Sequence, residues 1–279
     1  ALYPVPAAAD PRYAETLLSI CKTERVDVLM PFMSAELLPL IDRQADFEAA
    51  GTRLSVSDRR SVEICANKLR FYEFMQASGL KVPKFRAVRT ADELLPACEA
   101  AGYPEKAVCV KATELSGSRG IRILDPAKSR YDLLFGEKPN SMYTTMEELQ
   151  AALRERPQMP EMMAMECLPG AEGSVDLLAD HGKILYMAYR ESNVNLASIP
   201  QEATLADNPE AYAIARGVIA ALGFDGAAAL DAAGPLLTAA EDGARAAVAR
   251  ARAALGDTPV VVDSSAVMRP FALVRALAG

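Results

Sequence analysis

Lys111 closes a short apolar run, Ala107-Val108-Cys109-Val110-Lys111, and the chain soon reaches Ser116-Gly117-Ser118-Arg119-Gly120. A lysine leaving a buried strand just ahead of a Ser/Gly turn gathers one fixed ammonium and several backbone N–H groups. Glycine allows close approach and successive N–H groups form an anion-binding concavity, so the group suits a polyphosphate. The spacing is neither that of a P-loop nor the G-x-G-x-x-G of a dinucleotide turn. Read alone, it also describes an ordinary hairpin. Lys68, in Asn67-Lys68-Leu69-Arg70, stands at a helix start, where a solvated lysine is the plain reading. In Glu166-Cys167-Leu168-Pro169-Gly170-Ala171-Glu172-Gly173-Ser174-Val175-Asp176 an apolar strand ends in a carboxylate, bends, and returns with more acids. Such a bend can offer backbone groups to an adenine edge and Glu172 to a ribose hydroxyl. A hairpin with exposed acids has the same text.

The elements that must position these residues alternate between helical and strand-like text, which indicates an α/β protein. Helices are expected over 11–24, 34–46, 58–65 and 67–77, with strands at 26–31 and 53–56. This opening reads as part of a parallel, doubly wound sheet. It lacks an initiating Met and a first strand with a Gly-rich turn, so the text is expected to open inside a domain. A second unit has strands near 84–88, 107–111 and 121–124 and helices over 91–101 and 144–155. Between them, 125–143 reads as an exposed, turn-rich loop. From 161 the text is expected to become antiparallel: 162–168, 174–179, a turn at Asp180–Gly182, and 183–190. A helix over 209–221 and a strand over 226–231 follow, then an Ala- and Arg-rich tail, a strand near 259–262 and a last helix.

Composition narrows the function classes. The 279 residues are 51% apolar and 24% charged, enough for a sizeable core in one large or two modest domains. Thirty basic and thirty-seven acidic side chains give −7, which argues against nucleic acid or an anionic membrane as partner. No apolar run approaches the ~20 residues of a membrane span, and no secretory signal is evident. The five cysteines are scattered and never in C-x-x-C, so a disulfide framework and a zinc site are not expected and a cytoplasmic location is. The one histidine, His181, reads as a turn residue, so Ser–His–Asp catalysis would have to use that single ring. A nicotinamide oxidoreductase is disfavoured by the missing Gly-rich fingerprint.

Taken together and in order, these segments resemble the ATP-grasp superfamily, in its branch similar to the carbamoyl-phosphate synthetase large subunit and carboxylate–amine ligases. The carrying residues are Ser57-Asp58, Asn67-Lys68-Leu69-Arg70-Phe71, Gly79-Leu80-Lys81-Val82-Pro83, Val110-Lys111, Ser116–Gly120, Met165–Gly170 and Ser174–Asp180, so the resemblance covers 25–231. It implies a partial Rossmann-like domain over 1–80, an ATP-grasp small lobe over 81–160 and a C-terminal lobe over 161–279. It also implies that Lys68 and Lys111 hold the α- and β-phosphates of ATP, with Ser116, Gly117, Ser118, Arg119 and Gly120 as the loop closing over them. Glu166, Cys167 and Leu168 would read adenine, Glu172 the ribose, and Arg190 a phosphate or carboxylate. The implied reaction activates a small carboxylate or bicarbonate as an acyl phosphate for attack by an amine or ammonia. Mg2+ would assist, with Mn2+ as an alternative. The implied partners are small molecules, neither nucleic acid nor membrane, and a homodimer is left open.

The family's Glu-x-Asn-Pro-Arg strand is where the resemblance breaks. Asp231 falls at the first metal-ligand position, but Ala239 takes the glutamate's place, Glu241 the asparagine's and Gly243 the arginine's. A hard cation on a triphosphate wants oxygen ligands, and Asp231 with Glu241 supplies two. The alternative is a degraded metal site in a nucleotide-binding module with a regulatory or partner role.

Overall fold

In the computed structural model, residues 2–31, 33–115, 119–138, 141–168, 172–196 and 199–233 are described. The first unit joins helix α1 (Tyr13–Glu24), strand β1 (Val28–Leu29), helices α2 (Ser34–Ile41) and α3 (Gln44–Ala49), and strand β2 (Arg53–Leu54). β1 and β2 pair in parallel, as doubly wound text requires. Tyr13, Leu18, Cys21, Leu40 and Phe47 make its core. The single helix expected over 34–46 is two: the Arg43 N–H closes a short bond on the Leu40 carbonyl, 3.0 Å, and the chain restarts. The restart turns Phe47 fully inward.

Two capped helices follow. Asp58 accepts from the Ser61 N–H (3.1 Å) at the start of α4 (Arg59–Ala66). Asn67 accepts from the Arg70 N–H (3.1 Å) at the start of α5 (Lys68–Ala77). Each side chain satisfies an N–H that has no partner within the helix.

The second sheet contains β3 (Phe85–Val88), β4 (Val108–Ala112), β5 (Ile121–Leu124) and β6 (Met162–Glu166) in the order β3-β6-β4-β5, all antiparallel. One face carries Val88, Val108, Val110, Leu124, Met162 and Ala164 onto α6 (Leu94–Ala101) and α8 (Met146–Arg154). The other carries Met163 and Met165 onto Leu69 of α5. Covered on both faces, β6 reads as a continuous apolar run rather than an alternating one. It is antiparallel, as the text from 161 is expected to be, and it pairs with β3 and β4. The segment 125–143 is not all loop. It holds α7 (Arg130–Gly136), begun by a reciprocal cap in which Ser129 and Asp132 each accept the other's N–H, at 3.2 and 2.9 Å.

The third sheet runs β10-β7-β8-β9, with β7 (Glu172–Asp180), β8 (Lys183–Leu196), β9 (Ile199–Ala206) and β10 (Gly226–Ala233) all antiparallel. His181 and Gly182, with φ of 46° and 81°, form the two-residue left-handed turn between β7 and β8, as expected. Helix α9 (Pro209–Leu222) covers Val175, Leu177, Ala179 and Tyr189 with Ala211, Ala215 and Ile219. Its Val218 and Leu222 meet Met75 of α5, with Phe71, Phe74 and Leu80 around them. The Ser61 hydroxyl donates to the Leu222 carbonyl (3.1 Å), and the Asp225 N–H donates to Ser57 Oγ (3.2 Å). Helix α5 therefore packs on both the second sheet and α9, and its first residue is Lys68. Among the described residues no helix is long and apolar enough to cross a membrane. All five cysteines are free.

Candidate active site

Asn67 fixes where α5 begins. It is 4% exposed, caps the helix with its oxygen, and donates its amide to Thr113 Oγ1 (3.4 Å) and Glu114 Oε1 (3.1 Å). Thr113 is held in turn by the Glu161 carbonyl, which accepts its N–H at 3.0 Å and its hydroxyl at 3.2 Å. The helix start is thus tied to the segment that follows β4. The Lys68 N–H donates to the Thr113 carbonyl at 2.9 Å, and Lys68 Nζ reaches the carbonyls of Leu115 (2.6 Å) and Thr113 (3.4 Å). Lys111 lies on β4 two residues before Thr113, in register with Met163 and Ile121. Its ammonium stands 5.5 Å from the centroid of the Tyr72 ring.

Lys68 heads α5, and the Lys111 ammonium meets the Tyr72 ring one turn along the same helix. Burial lowers the pKa of Lys68, and the neighbouring Lys111 ammonium lowers it further. Like charges in proximity repel, and a bound polyanion relieves that cost. The Gly120 carbonyl accepts the Ala112 N–H (2.9 Å), bringing the chain back beside β4 at a φ of 68°. A Cβ on Gly120 would stand 2.9 Å from the Ala112 Cβ, so this return needs glycine in both conformation and space. Arg119 is exposed beside it, and Ser116, Gly117 and Ser118 lie outside the described residues.

The expected adenine-reading segment leaves β6. The Glu166 N–H donates to the Lys84 carbonyl (2.9 Å), Glu166 Oε2 accepts the Lys84 N–H (3.4 Å), and the Cys167 N–H donates to the Ala107 carbonyl (3.4 Å). Leu168 is half-buried after them. Burial raises the thiols of Cys167 and Cys109, that of Cys109 to about 11, which leaves both as neutral apolar surface at neutral pH.

Across the third sheet one row reads Asp231, Ser174, Arg190: Asp231 is in register with Ser174 on β7, and Ser174 with Arg190 on β8. Arg190 holds Asp176 with both arms of its fork, Nε to Oδ2 at 2.5 Å and an Nη to Oδ1 at 3.2 Å. This bidentate pair fixes the guanidinium plane. Glu172 begins β7 and is in register with Ala233. Glu241 lies outside the described residues. Sequence reading missed Asn67, Thr113 and Tyr72 as supports. Asn67 carries a helix-start signal and Tyr72 falls one helical turn after Lys68, whereas nothing local announces the Thr113–Glu161 closure.

At the other end of β7, Asp180, His181 and Asp225 bring their ligand-type atoms within 4.8 Å of one another. The hydrogen bond to Asp180 raises the His181 pKa above the ordinary value of 6.5, and the charge of Asp225 adds to it. The protonated ring is favoured in the folded state. Its contribution is therefore full below pH 6.5 and lost as pH climbs through the raised folded value. Because the ring is exposed, the effect on stability is small. With only one histidine in the chain, proton NMR reads this titration directly. We expect a midpoint above 6.5 that falls in Asp180→Asn; an unchanged midpoint would contradict the pairing.

Two small antiparallel sheets, with a helix wedged between the second sheet and the helix covering the third, make this the ATP-grasp fold. Residues 158–232 match the family described as ATP-grasp in the biosynthetic pathway with Ter operon, and residues 1–55 match the PylC-like N-terminal domain. The chain is 28% identical over 119 residues to the carbamoyl phosphate synthase large chain of Pseudothermotoga lettingae, covering 43% of this chain and 10% of that one. Its fold matches an N5-carboxyaminoimidazole ribonucleotide synthetase in its ADP complex (TM-score 0.56, 17% identity, 86% of this chain, 55% of that one). It also matches the biotin carboxylase of Campylobacter jejuni (TM-score 0.53, 16% identity, 81% and 50%). The chain spans about half the length of these two solved structures and a tenth of the curated relative.

Proposed function

We propose that this protein is an ATP-dependent ligase that activates a small carboxylate, or bicarbonate, as an acyl phosphate for attack by an amine or ammonia. The observation that carries the reading is that Lys68 at the head of α5 and Lys111, against Tyr72 one turn on, approach each other at the root of the glycine-containing loop. Two ammonium groups from different elements, already repelling one another, form a clamp for a polyphosphate. In this reading they hold the α- and β-phosphates, and residues 116–120 cover them. Glu166, Cys167 and Leu168 meet adenine, and Glu172 meets the ribose.

The chemistry needs little covalent work from the protein. A carboxylate oxygen attacks the γ-phosphorus and the bond to the β-bridging oxygen breaks. ADP leaves, and the amine then displaces phosphate from the acyl carbon. Arg190, its guanidinium oriented by Asp176, would meet an anionic substrate group or the transferring phosphoryl in this reading. In this reading Asp231 with Glu241, both carboxylate donors suited to a hard cation, would hold Mg2+. Bound there, Mg2+ supplies charge neutralisation on the transferring phosphoryl group. Covering the site from water protects the acyl phosphate from hydrolysis.

The test is Mg2+-dependent ADP release over a panel of amino acids and bicarbonate, each with an amine or ammonia. Release that requires both substrates is expected. ATP binding without ADP release from any pair would leave a nucleotide-binding module in place of the ligase.

A further inference from the structure

We infer that Tyr72 is a positioning residue that holds the Lys111 ammonium in the phosphate clamp through the face of its ring. The inference rests on the reading of Lys68 and Lys111 as that clamp. Tyr72 falls four residues after Lys68 on α5, so both project from the same side of the helix. Its ring centroid lies 5.5 Å from Lys111 Nζ, within cation–π range. The ring is itself fixed. Phe85 on β3 packs edge-on against it at 5.5 Å and 63°, and Phe71 at 6.3 Å and 84°. Leu69, Met163 and Met165 seal the cluster beneath.

The arrangement solves an electrostatic problem. Lys111 leaves a strand to lie near a like charge, and the Tyr72 ring is an attraction that counters the repulsion. An aromatic face attracts the cation while leaving its charge in place for a phosphate. One helix thus contributes the first cation directly and steadies the second through a quadrupole. Its packing on the second sheet sets both.

The experiment has two arms. In the nucleotide-free protein, 13C-dimethylated lysines are followed by NMR. The Lys111 signal, identified by its loss in Lys111→Ala, is expected upfield from the ring current and at the ordinary lysine position in Tyr72→Leu. An unshifted signal in the wild type overturns the inference. In the second arm, ADP affinity is measured by calorimetry with phenylalanine and its mono-, tri- and pentafluorinated analogues at position 72. Fluorine drains the ring face while largely keeping its shape, which a merely structural role would not register. Tyr72→Phe should bind as the wild type does, with Kd rising stepwise along the series by about 2- to 30-fold. A flat series in a protein that binds ADP normally overturns the inference and leaves the nucleotide reading standing. A wild type that binds no ADP removes that reading and the inference with it.

Discussion

Lys111→Ala is expected to weaken ATP binding about 100-fold, taking it below what calorimetry measures, while the protein stays folded. A charge-assisted hydrogen bond to phosphate is worth up to about 3 kcal/mol, and each factor of ten corresponds to about 1.4 kcal/mol. The fold should survive because Lys111 reaches its neighbours Met163 and Ile121 through the β ladder, which alanine keeps. Removing Lys111 also removes the like charge beside Lys68, so the Lys68 pKa should rise toward its ordinary value. It should not return completely, since burial is the larger cause of its depression. Unchanged ATP affinity in a folded Lys111→Ala protein would sink the phosphate assignment.

Gly173→Ala is expected to destabilise the protein by about 1–3 kcal/mol, the usual cost of forcing extra volume into a filled site. A Cβ at Gly173 would stand 2.3 Å from the Tyr189 hydroxyl oxygen and 2.4 Å from its Cζ. Tyr189 is 2% exposed and packs under α9, so the ring has nowhere close to retreat. The glycine is needed for close approach across the strands rather than for a left-handed backbone. Thermal melts of Gly173→Ala and of the double variant Gly173→Ala/Tyr189→Leu provide the check. A smaller side chain at 189 should recover part of the loss, and equal additive losses would contradict the steric account. The same variant perturbs the start of β7 that carries Glu172 and Ser174, so ATP affinity should fall with stability.

Much of the second sheet was legible because its text is local: β3, β4 and β5 lie within a residue or two of their expected places. Helix α7 was missed inside polar text, although Ser129 and Asp132 spell its cap. Which strands β6 pairs with was not legible, for a different reason. Its run Met162-Met163-Ala164-Met165 is apolar on both faces, and such a run does not say which sheet will take it. Arg190 was singled out, but its bidentate partner Asp176 sits on the adjoining strand and was visible only once the register was known.

By itself the sequence determined the local chemistry: a strand ending in Lys111, a glycine-bearing return at Gly120, helix starts at Asp58 and Asn67, and a two-residue turn at His181-Gly182. These follow from caps, periodicity and backbone preference, which act over a few residues and leave a mark in the order of the text. The tertiary structure alone decided that Lys68 meets Lys111, that Asn67 grips Thr113, and that Tyr72 stands under the second ammonium. Those contacts join positions far apart in the chain, such as Lys68 Nζ with the Leu115 carbonyl. They arise from burying both sides of α5 at once, a requirement with no period in the sequence.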